Sequence, residues 1–279
     1  MRLDLLQQLV DELLRAWSRG DPRLLVALLL LGSFLLYAIA ANLAWYYRGL
    51  PAGQLAERVN RLVSSRPTRI GYELVRLVYY VVTPFAALML GWVNLRALGL
   101  AYLDWADGLR WEIVLTLATW SLLMFVWVPY LKTTSDVPPK LSSEVTSWAR
   151  RIVEIVYMQA HWAFYRAACI LILTNLLQDD IAIYWGACIG IGLVAVEAWS
   201  DPRVRRHVAN IGESEVTLWS ASQAIINTVG FVFTRNIWLM ALLHLMLEFS
   251  VPHLRTAPRP AIARPAPHGT LAPTRDPRA

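Results

Sequence analysis

Arg166 stands in the middle of an apolar run spanning about 151 to 176, where an arginine costs about 2.5 to 3.5 kcal/mol to insert and demands a partner or an aqueous cavity. His161 lies five residues earlier, in Gln159-Ala160-His161-Trp162-Ala163-Phe164-Tyr165-Arg166. Glu197 closes the next apolar run, and His244 and Glu248 occupy the last one at i, i+4, on one helix face. Imidazoles, carboxylates and a guanidinium inside a membrane are the groups that relay protons, hold ions or bind a substrate. Each also has a plainer use. A lone histidine can hydrogen-bond helix to helix, a glutamate near a span end such as Glu154 or Glu197 can snorkel and pair with Arg150 or Arg203, and Arg166 can sit in a structural ion pair.

These residues need helices to position them, and the composition supplies little else. The chain has 279 residues, 57% hydrophobic and only 16% charged, too few to cover a water-soluble surface. Its apolar residues gather in runs of about twenty, the length of a membrane-crossing helix. The runs fall at about 24 to 47, 77 to 95, 113 to 131, 151 to 176, 181 to 200, 216 to 233 and 237 to 251, which predicts an all-α polytopic transmembrane helical bundle of about seven spans. Pro84 lies inside the second run, where neighbouring helices must shield the carbonyl it frees. Ahead of them, Leu6, Leu9, Val10, Leu13, Leu14 and Trp17 recur at helical spacing, so residues 1–22 are expected to form an amphipathic interfacial helix. Asp4, Asp11 and Glu12 in that segment do not fit a cleavable leader. The transmembrane domain covers 23–252, and the proline- and arginine-rich residues 253–279 are expected to be a disordered tail.

The net charge of +6 is a topology signal rather than a nucleic-acid footprint, because twenty-five of the twenty-six Lys and Arg residues lie in loops and termini. Eighteen of them fall on one side, in the loops around 48–76, 132–151 and 203–206 and the tail, which places the C-terminus in the cytoplasm and the N-terminus outside. The lipid bilayer is therefore the expected partner, together with a membrane-protein or peptide partner, and no nucleic acid. Cys169 and Cys188 lie in apolar runs without metal-ligand spacing and read as packing residues. With this orientation Glu154, Glu197 and Glu248 sit within about a turn of the cytoplasmic end of their spans, and His161 and His244 about 15 and 10 Å from that end, so one cytoplasmic pocket could gather them. Glu154, Met158, His161 and Tyr165 share a face of the fourth span, and Arg166 is expected to stack over Trp162 on another.

The segment from Ala221 to Phe249 resembles the C-terminal part of the CPBP family, the CAAX-protease and bacteriocin-processing intramembrane proteins. Gly230, the turn Thr234-Arg235-Asn236 and His244-x-x-x-Glu248 occupy the places of that family's glycine-containing helix, short turn and H-x-x-x-N/D helix. His161-Trp162-x-x-x-Arg166 looks like a degenerate E-E-x-x-x-R motif, Leu193-x-x-x-Glu197 stands where F-x-x-x-H belongs, and Asn94 to Leu100 is similar to the family's leading segment. The resemblance covers about 90–250, with Arg166 and His244 matching motif residues outright. It implies a CPBP-like core and peptide hydrolysis near the cytoplasmic face. It also implies that His161 stands where the family has a glutamate and Glu197 where it has a histidine, an exchange that preserves a His/carboxylate pair if the two positions face each other. In that reading Glu197 or Glu248 is the base, His161, His244 and Arg166 stabilise charge, and a divalent ion such as zinc could be held by His161, Glu197 and His244. The second motif glutamate is Trp162, which carries no basic atom. The other reading is accordingly a catalytically inactive scaffold or accessory subunit that binds a transmembrane partner, lipid or cofactor. A transporter is less supported, since no paired discontinuous segments recur in two halves.

Overall fold

The computed structural model describes residues 15, 18–51, 53–101, 103–133 and 148–256. Every regular element among them is helical. In chain order they are α1 (Pro22–Arg48), α2 (Gln54–Ser64), α3 (Arg66–Met89), α4 (Leu95–Leu98), α5 (Trp105–Thr133), α6 (Trp148–Leu173), α7 (Asp179–Ser200), α8 (Pro202–Ala209), α9 (Ile211–Thr234) and α10 (Ile237–Thr256). Most of the expected interfacial helix at 1–22, and the tail beyond 256, lie outside the described residues.

Five helices are long and apolar enough to cross a bilayer: α1, α3, Trp105–Val126 of α5, α7, and Val216–Thr234 of α9. This is consistent with an integral membrane protein. Their outer faces carry apolar side chains, such as Leu36 and Ile39 on α1 and Leu117 and Phe125 on α5, a surface that water would not tolerate over such an area. The apolar part of α10, Ile237–Phe249, is shorter. The 26-residue α6 is held back from that group by its polar residues, and it lies at the centre of the bundle with Trp162 to Ile170 all buried.

Several boundaries differ from the sequence reading, among them the end of the second span, at Met89 rather than 95, and the start of α5, at Trp105 rather than near 113. The second span begins at Arg66 rather than near 77, at the Ser65 cap, and takes in Arg76, which pairs with Glu154 of α6. The last helix runs on to Thr256, past the boundary expected at 252.

Local chemistry fixes most helix starts. Asp21 accepts from the Arg23 amide with Pro22 in the first turn, Ser65 caps α3 ahead of Pro67, and Asn236 Oδ1 accepts from the amides of Trp238 and Leu239 to start α10. Asp201 ends α7 and caps α8 through the Arg203 amide. Its carboxylate also grips the Arg203 guanidinium, and this hydrogen bond holds that group above its ordinary pKa. Within α3, Pro84 has no amide proton for the preceding turn. Residues Val78–Val82 widen into a π turn there, with the Thr83 amide and hydroxyl both donating to the Val78 carbonyl.

The closest helix pair is α6 with α7. A Cβ on Gly186 would stand 2.6 Å from the Ile170 amide nitrogen, and one on Gly190 2.7 Å from the Arg166 Cα. Those two glycines, with Ala182 one turn earlier, are the small residues that let the two backbones meet. Helix α1 closes over this pair through Val26, Ser33 and Ala41, and the Asn42 side chain donates to the Ser200 carbonyl at 3.0 Å.

Candidate functional site

Two polar clusters and one buried guanidinium stand out inside the bundle among the described residues. The first joins α1, α3, α6 and α7. His161 and Tyr165, one turn apart on α6, both reach Glu197 near the end of α7. His161 Nε2 lies 3.1 Å from Glu197 Oε1, and Tyr165 donates its hydroxyl to Oε2. The Tyr79 hydroxyl, brought in by the π turn, donates to Oε1 at 3.1 Å and also lies 3.3 Å from the Ser33 carbonyl. His161, Glu197 and Tyr165 are each at most 5% exposed, so the carboxylate has exchanged its hydration for three protein donors. Tyr79, Tyr80 and Tyr165 surround the imidazole with ring centroids 5.4, 5.1 and 4.6 Å away. At the edge of the cluster Arg76 holds Glu154 through both guanidinium nitrogens and lies over the rings of Tyr72, Tyr80 and Tyr157.

The second cluster joins α6, α9 and α10. Gln159 Nε2 approaches Asn227 Oδ1 at 2.7 Å, His244 Nδ1 at 3.1 Å and the Met240 carbonyl at 3.4 Å. An amide nitrogen only donates, so Nδ1 of a neutral His244 accepts and its proton sits on Nε2. The imidazole stacks on Trp162, with centroids 5.4 Å apart and planes 2° from parallel. Asn227 in turn donates to the Gln223 carbonyl at 2.8 Å. Glu248, one turn beyond His244, points elsewhere, pairing with Arg151 at 3.0 Å and accepting from the Trp219 indole at 2.9 Å.

The third feature is Arg166. It is fully buried, and none of its three nitrogens has a hydrogen-bond partner among the described residues. The guanidinium lies over the Phe231 ring, 4.3 Å from its centroid. A cation–π contact offsets part of the desolvation of a guanidinium but leaves its five N–H groups unsatisfied. Glu112 on α5 has a similar standing, being 3% exposed with neither carboxylate oxygen partnered among the described residues.

The facing of His161 and Glu197 agrees with the sequence reading, as does the shared face of Glu154, His161 and Tyr165. Three expectations are corrected. Glu154, Glu197 and Glu248 do not gather at one pocket mouth, because Arg76, the His161–tyrosine cluster and Arg151 each claim one of them. Arg166 lies over Phe231 rather than Trp162, whose ring is taken by His244. His244 is directed to Gln159 rather than to His161 and Glu197, and no three His, Cys, Asp or Glu side chains among the described residues form a metal-ligating group. The set His161, Glu197 and His244 is therefore not a three-ligand centre in this arrangement.

Sequence reasoning passed over Tyr79, Gln159, Asn227, Gln223 and Glu112. The uncharged ones leave no mark in a count of charges. Their signal was present nonetheless, since Gln223 and Asn227 stand at i, i+4 in an apolar run, on one helix face. Glu112 falls one residue ahead of the expected third span, outside the apolar run. Comparison of the chain with protein-family models, with curated proteins and with solved structures finds no match.

Proposed function

We propose that this chain is a non-hydrolytic polytopic membrane protein, a divergent CPBP-like scaffold or accessory subunit whose polar interior holds a membrane-embedded partner, lipid or small ligand. One observation carries the reading: the residues that peptide hydrolysis would require are divided among separate clusters rather than brought to one site. Glu197 receives Tyr79, Tyr165 and His161, His244 receives Gln159, Glu248 is neutralised by Arg151, and Arg166 faces Phe231. A general base must offer a lone pair to water, and the Glu197 carboxylate is already occupied by Tyr79, Tyr165 and His161, while His244 and Arg166 lie in other clusters. Counting the central α6 and the short α10 with the five apolar helices gives seven spans. The excess of basic residues in the loops then sets the C-terminus in the cytoplasm and the N-terminus outside.

The 3.1 Å approach of His161 to Glu197 favours one rival, an intramembrane peptidase with Glu197 as base. The two readings separate in an assay of the full-length protein in bicelles with fluorogenic transmembrane peptides, comparing wild type with Glu197→Gln. The binding reading expects no cleavage above the variant's background. It also expects a loss of stability in Glu197→Gln of about 1.5 to 3 kcal/mol, because the charged acceptor of three donors has been removed. Cleavage by wild type that disappears in a folded Glu197→Gln protein would establish the peptidase instead.

A further inference from the structure

At the bundle end formed by the α4 turn and the start of α7, a cavity of about 220 Å³ opens between α6, α7 and α9. Its rim is polar, with Asn94, Arg96, Asp179 and Arg235, and its floor includes Ile170 and Phe231. Two features set this cavity apart from an accidental crevice. Arg235 is held at φ 50, the one positive φ at a non-glycine among the described residues, and this left-handed turn closes α9 at the rim. Phe231, which lines the cavity, also lies against the guanidinium of Arg166, whose nitrogens have no hydrogen-bond partner among the described residues. Arg166, Ile170 and Thr174 follow one another at i, i+4, i+8 on α6, and the last two already line the cavity. The buried cation thus stands one side chain beyond the cavity floor, on the same helical stripe.

An uncompensated cation in the bundle interior is costly enough that it is kept for an anion or a route to water. Guanidinium groups match the paired oxygens of a phosphate through their planar fork of donors. Arg235 is partly neutralised by Asp180 at 2.8 Å, while Arg96 is exposed at the mouth. We propose that this cavity binds a phosphate group, first met by Arg96 and Arg235 and then held by Arg166 when the Phe231 ring moves aside. The apolar floor takes the stem of a ligand that has one, and Asp179 is available to a cationic or hydroxyl group on the same molecule. Gly99, at φ 74, keeps the wall thin: a Cβ there would stand 2.7 Å from the Phe231 ring. The phosphate comes either free in solution or as a lipid headgroup.

This site rests on the binding reading above, but its test is independent of peptide cleavage. The full-length protein in a maltoside detergent is heated with increasing inorganic phosphate, with increasing short-chain phosphatidylglycerol, and with chloride at matched ionic strength. A saturable rise in Tm beyond the chloride baseline is expected with one of the two probes, and which one identifies the source. Arg166→Gln should weaken that dependence roughly tenfold or more, as expected for loss of a charge-assisted hydrogen bond. Arg96→Gln changes an exposed residue, so it preserves the fold while lowering the affinity. Phe231→Leu, which frees the floor, should saturate at lower probe concentration. Absence of a saturable response to both probes in wild type overturns the proposal, as does an unchanged response in folded Arg96→Gln and Arg166→Gln proteins.

Discussion

Replacing Gly190 with alanine should open the α6–α7 seam and break the His161–Glu197 contact without touching either residue. The added Cβ would lie 2.7 Å from Arg166 Cα, 2.8 Å from its nitrogen and 2.9 Å from the Tyr165 carbonyl carbon. Carbon atoms settle about 3.5 to 4.0 Å apart, and helix backbone cannot yield locally, so α7 must retreat by about 1 Å. Glu197 lies seven residues on, two turns along the same face of α7, and retreats with it. The 3.1 Å contact to His161 then stretches to about 4 Å, beyond hydrogen-bonding range. Overpacking and the lost charged hydrogen bond, less the helix-propensity gain of alanine over glycine, leave a net destabilisation of about 2 to 4 kcal/mol. The assay is reversible unfolding of the full-length chain in mixed micelles of increasing sodium dodecyl sulfate content, read by tryptophan fluorescence. Gly192→Ala is the control. Nothing lies within 4 Å of a Cβ at Gly192, so that variant should be neutral or gain up to about 1 kcal/mol. Equal effects at the two positions, or a Gly190→Ala protein as stable as wild type, would refute the close-packing argument.

Two further outcomes follow from the polar clusters. Gln159→Leu removes the donor shared by Asn227 and His244 and strands both acceptors in the core, so stability should fall by about 1 to 3 kcal/mol in the same unfolding assay. For Arg76 and Glu154, a double-mutant cycle with Arg76→Leu and Glu154→Leu should give a coupling of about 0.5 to 1 kcal/mol that shrinks as salt is raised, because Glu154 remains a third exposed.

The sequence disclosed what is written in composition and period. Runs of about twenty apolar residues marked the long helices, and the rarity of charge singled out Arg166 and His161 as interior residues, which they are. The pairing of His161 with Glu197 entered only through the family resemblance, as an exchange of two motif residues, and the structure brings the two side chains to 3.1 Å. What the sequence did not disclose depends on how helices rotate against one another. His244 and His161 both look inward, but one faces α9 through Gln159 and Asn227 while the other faces α7, and no pattern along a single helix encodes that difference. By charge alone Arg76 belongs to the basic loop around 48–76. The structure uses its long stem to carry the guanidinium alongside α6, where Glu154 and three aromatic rings receive it.

The wide turn at Val78–Val82 divides α3 into two rods with different angular phase. An α-helix advances 100° per residue, so a turn that accommodates one additional residue lets the segment before it keep its own azimuth while the segment after it keeps another. The first rod is indexed by Arg76 against Glu154, and the second by Pro84 and Ala87, both buried in the bundle. Tyr79 falls at the junction, so its bearing on Glu197 is determined by the mismatch between the two rods rather than by either alone. A single-residue deletion between 78 and 82 would therefore leave both rods helical and both ends anchored while rotating the tyrosine away. In this helix, one residue of length works as an angular adjustment, and the carboxylate in the membrane interior is what reads it.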